Sequence, residues 1–191
     1  MHAIKSDQKL DARGLACPMP IVKTKKQMKE LPAGQVLEVT ATDKGSKADL
    51  QAWAQGSGHH YLGTVEEGDV MKHYLRKASG EEAAETRFEA IVDIAEVEVR
   101  LASHDKPIVL DVREAAEYAF GHIPGSLSMP LGELDGRLGE LEKNKEIYVI
   151  CRTGLRSDLA AQKLAAAGFA RVRNVMPGMS GWKGATEGLA N

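Results

Sequence analysis

The sequence predicts an α/β protein in two parts, and three observations carry that prediction. Residues 1–76 alternate strand-like and helix-like periods and close with two strand-like runs joined by a turn. Residues 91–191 alternate short, mostly apolar runs with amphipathic stretches, the pattern of a mostly parallel sheet with helices on both faces. Between them, residues 77–90 change to Ala and Glu around one Ser-Gly pair, with Phe88 the one large apolar side chain, which is the composition of a linker.

In the first part a short strand is expected around Lys9 to Asp11, followed by a Gly-Leu turn and a helix from Pro18 to Leu31 that Pro32-Ala33-Gly34 ends. Gln35 to Ala41 alternates apolar and polar side chains, as a half-buried strand does, and Ser46 to Gln55 carries Ala48, Leu50, Ala52 and Trp53 as a second helix. His60 to Val65 and Val70 to Arg76 are then two strands of a hairpin turning at Glu66-Glu67-Gly68-Asp69.

In the second part, Asp93-Ile-Ala-Glu96 has the spacing of a capping box and opens a helix through Leu101. Ile108 to Asp111 and Glu146 to Ile150 are buried strands. Helices are expected at Glu114 to Phe120, Leu131 to Leu141 and Ser157 to Ala167, with a last strand at Arg171 to Val175.

Composition excludes several classes of function. The 191 residues are 43% hydrophobic and 27% charged with a formal charge of -2, so no bulk field favours nucleic acid or a lipid surface. No apolar run approaches the ~20 residues of a membrane span. The start, Met1-His-Ala-Ile-Lys-Ser-Asp-Gln8, lacks the apolar stretch of a secretory signal, and a cytoplasmic location is expected. Cys17 and Cys151 are the two cysteines, too few for a disulfide framework; spacing leaves a bridge between them open as the lesser reading. His59 and His60, adjacent on an expected strand, point to opposite faces and do not share a metal ion; no metal site, Gly-rich nucleotide loop or cofactor is expected.

The strongest chemical signal is Cys151-Arg152-Thr153-Gly154-Leu155-Arg156-Ser157, between a buried strand and a helix with Ala160, Ala161, Leu164 and Ala167 on its apolar side. A strand-loop-helix passage leaves backbone N–H groups unpartnered at the positive end of the helix dipole, a place suited to an anion. A thiol there is expected to be acidified by the dipole and by the guanidinium groups of Arg152 and Arg156, and the thiolate is the nucleophilic form. The small Thr153 and Gly154 let the loop curl around the sulfur. A cysteine at a strand end can also be plain apolar filler. Two arginines flanking it have no evident packing rationale, which favours chemistry.

Asp111-Val-Arg-Glu114, Tyr118-Ala-Phe-Gly-His-Ile-Pro-Gly-Ser126, the Cys151 to Arg156 loop and Pro177-Gly-Met-Ser-Gly-Trp182 together resemble, in order, the signatures of single-domain rhodaneses over about residues 90–187. The resemblance implies the rhodanese α/β domain and sulfane-sulfur transfer through a persulfide on Cys151. Ser126 replaces an alanine common in the family. Four residues separate Cys151 from Arg156, one fewer than in phosphatases and arsenate reductases of related architecture, so the tighter ring suits a persulfide sulfur rather than a tetrahedral oxyanion. Asp111 and Arg113 are expected to pair and support the loop, His122 to be a hydrogen-bonded turn residue, and Trp182 to anchor a C-terminal helix.

The second signal is Leu10-Asp-Ala-Arg-Gly-Leu-Ala-Cys17-Pro18-Met-Pro20, ahead of a helix bearing Lys23, Lys25, Lys26 and Lys29. Proline is at home in a first helical turn, which puts Cys17 at or beside the N-cap, where the dipole favours a thiolate; the alternative is an ordinary small residue at a helix start with a solvated lysine face. The segment resembles the TusA/SirA-like sulfur-carrier family over about residues 7–77. That implies a two-layer α/β sandwich in which Cys17 carries the persulfide and Pro18 and Pro20 support it.

Taken together, the sequence predicts a TusA/SirA-like domain over 1–76, a linker over 77–90 and a rhodanese domain over 91–191. The expected function is a sulfurtransferase: Cys151 takes sulfane sulfur from thiosulfate or a low-molecular-weight persulfide, with Arg152, Thr153, Gly154, Leu155 and Arg156 binding the donor. Sulfur then passes to Cys17 or to an outside thiol acceptor, small or protein. The alternative is a non-catalytic sulfur carrier or regulatory adaptor.

Overall fold

A computed structural model describes residues 4–78 and 88–189, which fall into two compact units. Most of the expected linker, residues 79–87, and the chain ends at 1–3 and 190–191 lie outside the described residues. No described helix is long and apolar enough to cross a membrane.

The first unit is β1 (Gln8–Ala12), α1 (Met19–Glu30), β2 (Val36–Ala41), α2 (Ser46–Ser57), β3 (His60–Glu67) and β4 (Val70–Arg76). Its sheet runs β1-β2-β4-β3, with β1 parallel to β2 and the other pairs antiparallel. The β3–β4 hairpin turns at Gly68-Asp69, where Gly68 takes φ +64°. Pro20, Thr24 and Met28 on α1, and Ser46, Leu50 and Ala54 on α2, are buried at four-residue spacing. Met28, Leu50 and Ala54 meet Ala12, Leu37, Val39 and Leu75 of the sheet in one core, the two-layer arrangement. Leu31 ends α1 in an extended conformation because Pro32 follows it.

Two expectations need correction here. His59 precedes β3, so only His60 belongs to that strand; His59 instead accepts a hydrogen bond from Ala78 N and tilts against Trp53. Strand β2 is also covered on both faces rather than half-buried. Glu38, on the face away from the helices, is 5% exposed; its carboxylate accepts from Ser6 and Tyr74 and lies 3.5 Å from Lys9 Nζ. A polar residue in an alternating pattern marks solvent only when nothing satisfies it inside.

The second unit begins with β5 (Ile91–Asp93), α3 (Ile94–Leu101), β6 (Ile108–Asp111), α4 (Ala115–Phe120) and β7 (Leu127–Ser128), and ends with α5 (Leu134–Arg137), β8 (Ile147–Ile150), α6 (Leu155–Ala166) and β9 (Val172–Met176). All strand pairs are parallel, in the order β5-β9-β8-β6-β7. Alternation along β8 splits the core in two. Ile147 and Val149 face Ala160, Ala161 and Leu164 of α6, while Tyr148 and Ile150 face Val97 of α3 and Trp182. Asp93 caps α3, accepting from Glu96 N at 2.8 Å.

The expected helix over Leu131 to Leu141 is broken. It consists of a 3₁₀ turn at Leu131–Glu133, one α turn, and a second 3₁₀ turn at Leu138–Glu140. Gly132, Gly136 and Gly139 supply the reason, since each weakens a continuous helix by roughly 1 kcal/mol relative to Ala. Strands β5 and β7, three and two residues long, carry too short a pattern to be seen in the sequence. Trp182 anchors no C-terminal helix among the described residues. It follows a 3₁₀ turn at Gly178–Gly181, packs on the Val92–Val97–Val175 cluster and donates its indole N–H to Ala185.

His73, fully buried in β4, ties the first unit together: Ser46 Oγ lies 2.9 Å from Nε2, and the Tyr61 and Thr64 hydroxyls lie 2.9 Å from Nδ1. Because Ser46 donates to the Asp43 carbonyl at 2.6 Å, Nε2–H is the donor to Ser46, and the ring sits neutral. Burial, with a smaller push from Lys47, lowers His73 to about 4. The unfolded chain therefore binds the extra proton first, and this contribution to stability is present above about pH 6.5 and lost as pH falls toward 4. Urea unfolding of the full chain followed through Trp53, in a Trp182→Phe background, is expected to lose stability over this window. In His73→Gln that loss shrinks by on the order of 2 kcal/mol; equal pH dependence in the two proteins contradicts the assignment.

Candidate active site

Cys151 follows the last residue of the central strand β8, at the carboxyl edge of a parallel sheet, where α/β folds place their sites. The Cys151 to Gly154 loop ends at Gly154, which takes φ +99° ahead of α6; a Cβ there would overlap the Met176 side chain, so only glycine fits. Gly154 N–H donates to Cys151 Sγ at 3.1 Å. On the outer side of the loop, Met179 N donates to the Cys151 carbonyl at 2.8 Å and Ser180 N to the Arg152 carbonyl at 2.9 Å. With those two carbonyls held by the 178–181 turn, the N–H groups of Arg152 and Thr153, in the same planar peptides, point the opposite way. Gly178 permits this approach: at φ +77°, a Cβ on it would stand 2.5 Å from the Cys151 carbonyl oxygen.

A second layer fixes the sulfur from below. Ser157 Oγ lies 3.4 Å from Sγ and donates to Asn174 Oδ1 at 2.6 Å, while Asn174 Nδ2 donates to the Gly154 carbonyl at 3.0 Å. Cys151 is 1% exposed; Arg152 and Thr153 form the exposed lip and Leu155 is partly covered.

Arg156 has a packing role that the spacing did not reveal. It is buried, and its guanidinium forks onto Glu117 of α4 at 2.7 and 2.9 Å. Its charge is thus matched by a buried carboxylate, whereas Arg152 keeps an exposed guanidinium. Asp111 and Arg113 form the expected pair, buried, with Arg113 also donating to the Gly121 carbonyl. His122 is hydrogen-bonded as expected but is not a turn residue: it forms an antiparallel backbone bridge with Glu187, and its ring stacks on Tyr118 and donates from Nδ1 to the Tyr118 carbonyl.

Cys17 lies in the other unit, in the loop between β1 and α1. It is exposed and immediately precedes Pro18 at the N-cap, with Pro20 at the second helical position. Its S–H points to Asp49 Oδ2 at 3.5 Å, with Pro18, Pro20, Ile21, Asp43, Ser46 and Leu50 grouped around the same place. This overturns the expected acidification. The hydrogen bond to Asp49, then burial, then the charges of Asp49 and Asp43 push the Cys17 thiol up. Asp49 is there because it sits in the first turn of α2, where the dipole favours a carboxylate.

Glu117, Asn174, Asp43 and Asp49 were not visible as site groups in the sequence, while Ser157 and Gly178 stood inside its motifs with no role assigned. Of the first four, Asn174 alone carried a local signal, as a lone amide in the buried run Val172-Arg-Asn-Val-Met176. Among the described residues, no three His, Cys, Asp or Glu side chains are grouped to hold a metal ion.

Family models agree with this division: "Sulfurtransferase TusA" matches residues 8–77 and "Rhodanese-like domain" matches residues 94–185. The "Putative sulfur carrier protein YrkF" of Bacillus subtilis is 51% identical over 178 residues, spanning 93% of this chain and 96% of that protein. The chain belongs to the family that joins a TusA domain to a rhodanese-like domain. The TusA unit is also similar to the "Putative sulfur carrier protein YrkI" of the same organism, 60% identical over 74 residues, 39% of this chain and 99% of that protein. The rhodanese-like unit superposes on the solution structure of a rhodanese-like domain from Anabaena at 31% identity and TM-score 0.50, covering 54% of this chain and 82% of that one. Sulfur carriage and sulfur transfer are accordingly the general business of this TusA–rhodanese chain.

Removing Glu117 takes away the buried carboxylate onto which the Arg156 guanidinium forks, together with its hydrogen bond to Glu114 N. Glu117→Ala is expected to destabilise the rhodanese-like unit by about 3–5 kcal/mol, and Glu117→Leu combined with Arg156→Met to recover part of it. Guanidinium unfolding checks this; a loss below about 1 kcal/mol in Glu117→Ala would show that the pair is not doing structural duty.

Proposed function

We propose that the protein is a sulfurtransferase with two sulfur stations, and the observation that carries the reading is the braced loop whose Gly154 N–H meets Cys151 Sγ. The Cys151 thiolate attacks the outer sulfur of thiosulfate. A Cys151–sulfur bond forms, the sulfur–sulfur bond of the donor breaks, and its electron pair leaves on sulfite. A low-molecular-weight persulfide reacts likewise and leaves as its thiolate. The persulfide is anionic, and the loop's N–H groups at the start of α6 suit that charge.

Arg152 and Thr153 meet the donor at the exposed lip. Arg156 acts as a positioning residue, holding the α6 start against α4 through Glu117. In the second step a thiolate, Cys17 or an outside thiol, attacks the outer sulfur and Cys151 leaves as thiolate, so charge and sulfur count are conserved. Asp111, Arg113, Pro18 and Pro20 support the two loops.

A second reading is a non-catalytic carrier or adaptor; the 1% exposure of Cys151 and the carrier names of the relatives favour it. A thiosulfate–cyanide assay separates the two, because a carrier shows no turnover. Cys151→Ser is expected to abolish turnover without unfolding, since an alcohol is a far weaker acid and nucleophile than a thiol. Cys17→Ser is expected to retain loading of Cys151. Turnover in Cys151→Ser near the level of the unmodified protein overturns the assignment.

A further inference from the structure

The two cysteines stand in opposite electrostatic surroundings. Cys151 Sγ receives a backbone N–H, whereas Cys17 gives its proton toward a carboxylate. The side chains facing Cys17 come from three elements. From α1 and its cap come Pro18, Pro20 and Ile21, all uncharged; from the β2–α2 loop comes Asp43; from α2 come Ser46, Asp49 and Leu50. The charged members are both acids. Arg13, on the Cys17 loop, is engaged with Asp11 through three hydrogen bonds. Ser46 Oγ in turn meets His73, whose ring is neutral above its lowered pKa of about 4 and offsets neither acid.

Asp43 strengthens the effect of Asp49. Its Oδ2 is buried with no hydrogen-bond partner among the described residues, so its charge is less relieved by its surroundings. A contact of 3.5 Å is also shorter than the ~8 Å screening length of physiological salt, so ions in solution do not erase it.

We propose that Asp49, backed by Asp43, is the specificity-determining residue of the Cys17 station: it holds the empty cysteine as a thiol and turns away small anionic sulfur donors, so that Cys17 is loaded from a cysteine-held persulfide and not from free thiosulfate. This rests on the sulfur-transfer reading above. Thiosulfate brings two negative charges to a thiol flanked by two carboxylates. A persulfide on Cys151 brings one, and backbone N–H groups offset it. In the loading step the Cys17 S–H bond breaks and its proton passes to solvent. A bond forms from Cys17 Sγ to the outer sulfur, and the donor's sulfur–sulfur bond breaks with its electron pair leaving on the donor cysteine.

The test uses the full chain carrying Cys151→Ser, so that Cys17 is the reacting thiol, with and without Asp49→Asn or Asp49→Glu. Two alkylating probes of the same chemistry, neutral iodoacetamide and anionic iodoacetate, are compared across pH. Removing a like charge beside a titrating group lowers its pKa, so Asp49→Asn is expected to move the alkylation midpoint down by about one pH unit. Iodoacetate is expected to gain more than iodoacetamide, and Asp49→Glu to stay near the parent. Labelled thiosulfate, mapped by peptide mass, is expected to reach Cys17 several-fold faster in Asp49→Asn.

An unmoved midpoint, or equal gains for the two probes, overturns the proposal, as does unchanged thiosulfate labelling. Failure of thiosulfate to label Cys151 in the unmodified protein would instead count against the two-station reading, and the alkylation ratio would still decide the role of Asp49.

Discussion

Two backbone hydrogen bonds, from Met179 N to the Cys151 carbonyl and from Ser180 N to the Arg152 carbonyl, govern the chemistry of the rhodanese-like unit. They pin the outward edge of the loop and leave its N–H groups free to turn inward. Everything around them serves that arrangement. Gly178 lets the two segments touch, Gly154 lets the loop turn into α6, and Asn174 and Ser157 hold the loop from below. Helix α6 is itself tied to α4 through Glu117 and Arg156. In the proposed transfer, a loop preorganised in this way needs little rearrangement when a charged sulfur arrives, the condition for electrostatic stabilisation.

The two units solve different problems with the same residue type. Cys151 is buried and meets a hydrogen-bond donor, a setting for making and holding a reactive sulfur. Cys17 is exposed and meets a carboxylate, which on the proposed reading suits a thiol that other molecules can reach but that stays quiet when empty. On the proposed reading, an acceptor of low intrinsic reactivity carried in one chain with a loop suited to a persulfide gives sulfur a preferred source. That asymmetry, rather than the presence of two thiols, is what makes the pairing of the two units chemically coherent.

Much of the fold was legible because burial in a two-layer unit and in a parallel sheet writes clear periods. The stripe Pro20, Thr24, Met28 and the apolar run Ile147 to Ile150 are examples. The glycines at 132, 136 and 139 spoiled a helix that apolar spacing alone suggested, and strands as short as Leu127–Ser128 leave no period to read. The cysteines and their loops were visible from local motifs, since a strand-to-helix passage is a sequence-local event. Their partners were not. Glu117 lies 39 residues from Arg156, and Asp49 lies 32 from Cys17, so only folding brings them together. For Cys17 the missing partner reversed the sign of the expected effect, because a carboxylate in contact outweighs a helix dipole whose equivalent charge is about half a unit.

The account stands most directly on the order in which sulfur visits the two cysteines. Unmodified full-length protein can be mixed with limiting labelled thiosulfate, quenched over time at several protein concentrations, and mapped by peptide mass. The account predicts label on Cys151 first and on Cys17 afterwards, with the Cys17 label rising as the Cys151 label falls. A rate independent of protein concentration assigns the transfer to one chain, and a proportional rate assigns it to an encounter between chains. Label arriving on Cys17 before Cys151, or equally fast when Cys151 is replaced by serine, would contradict it.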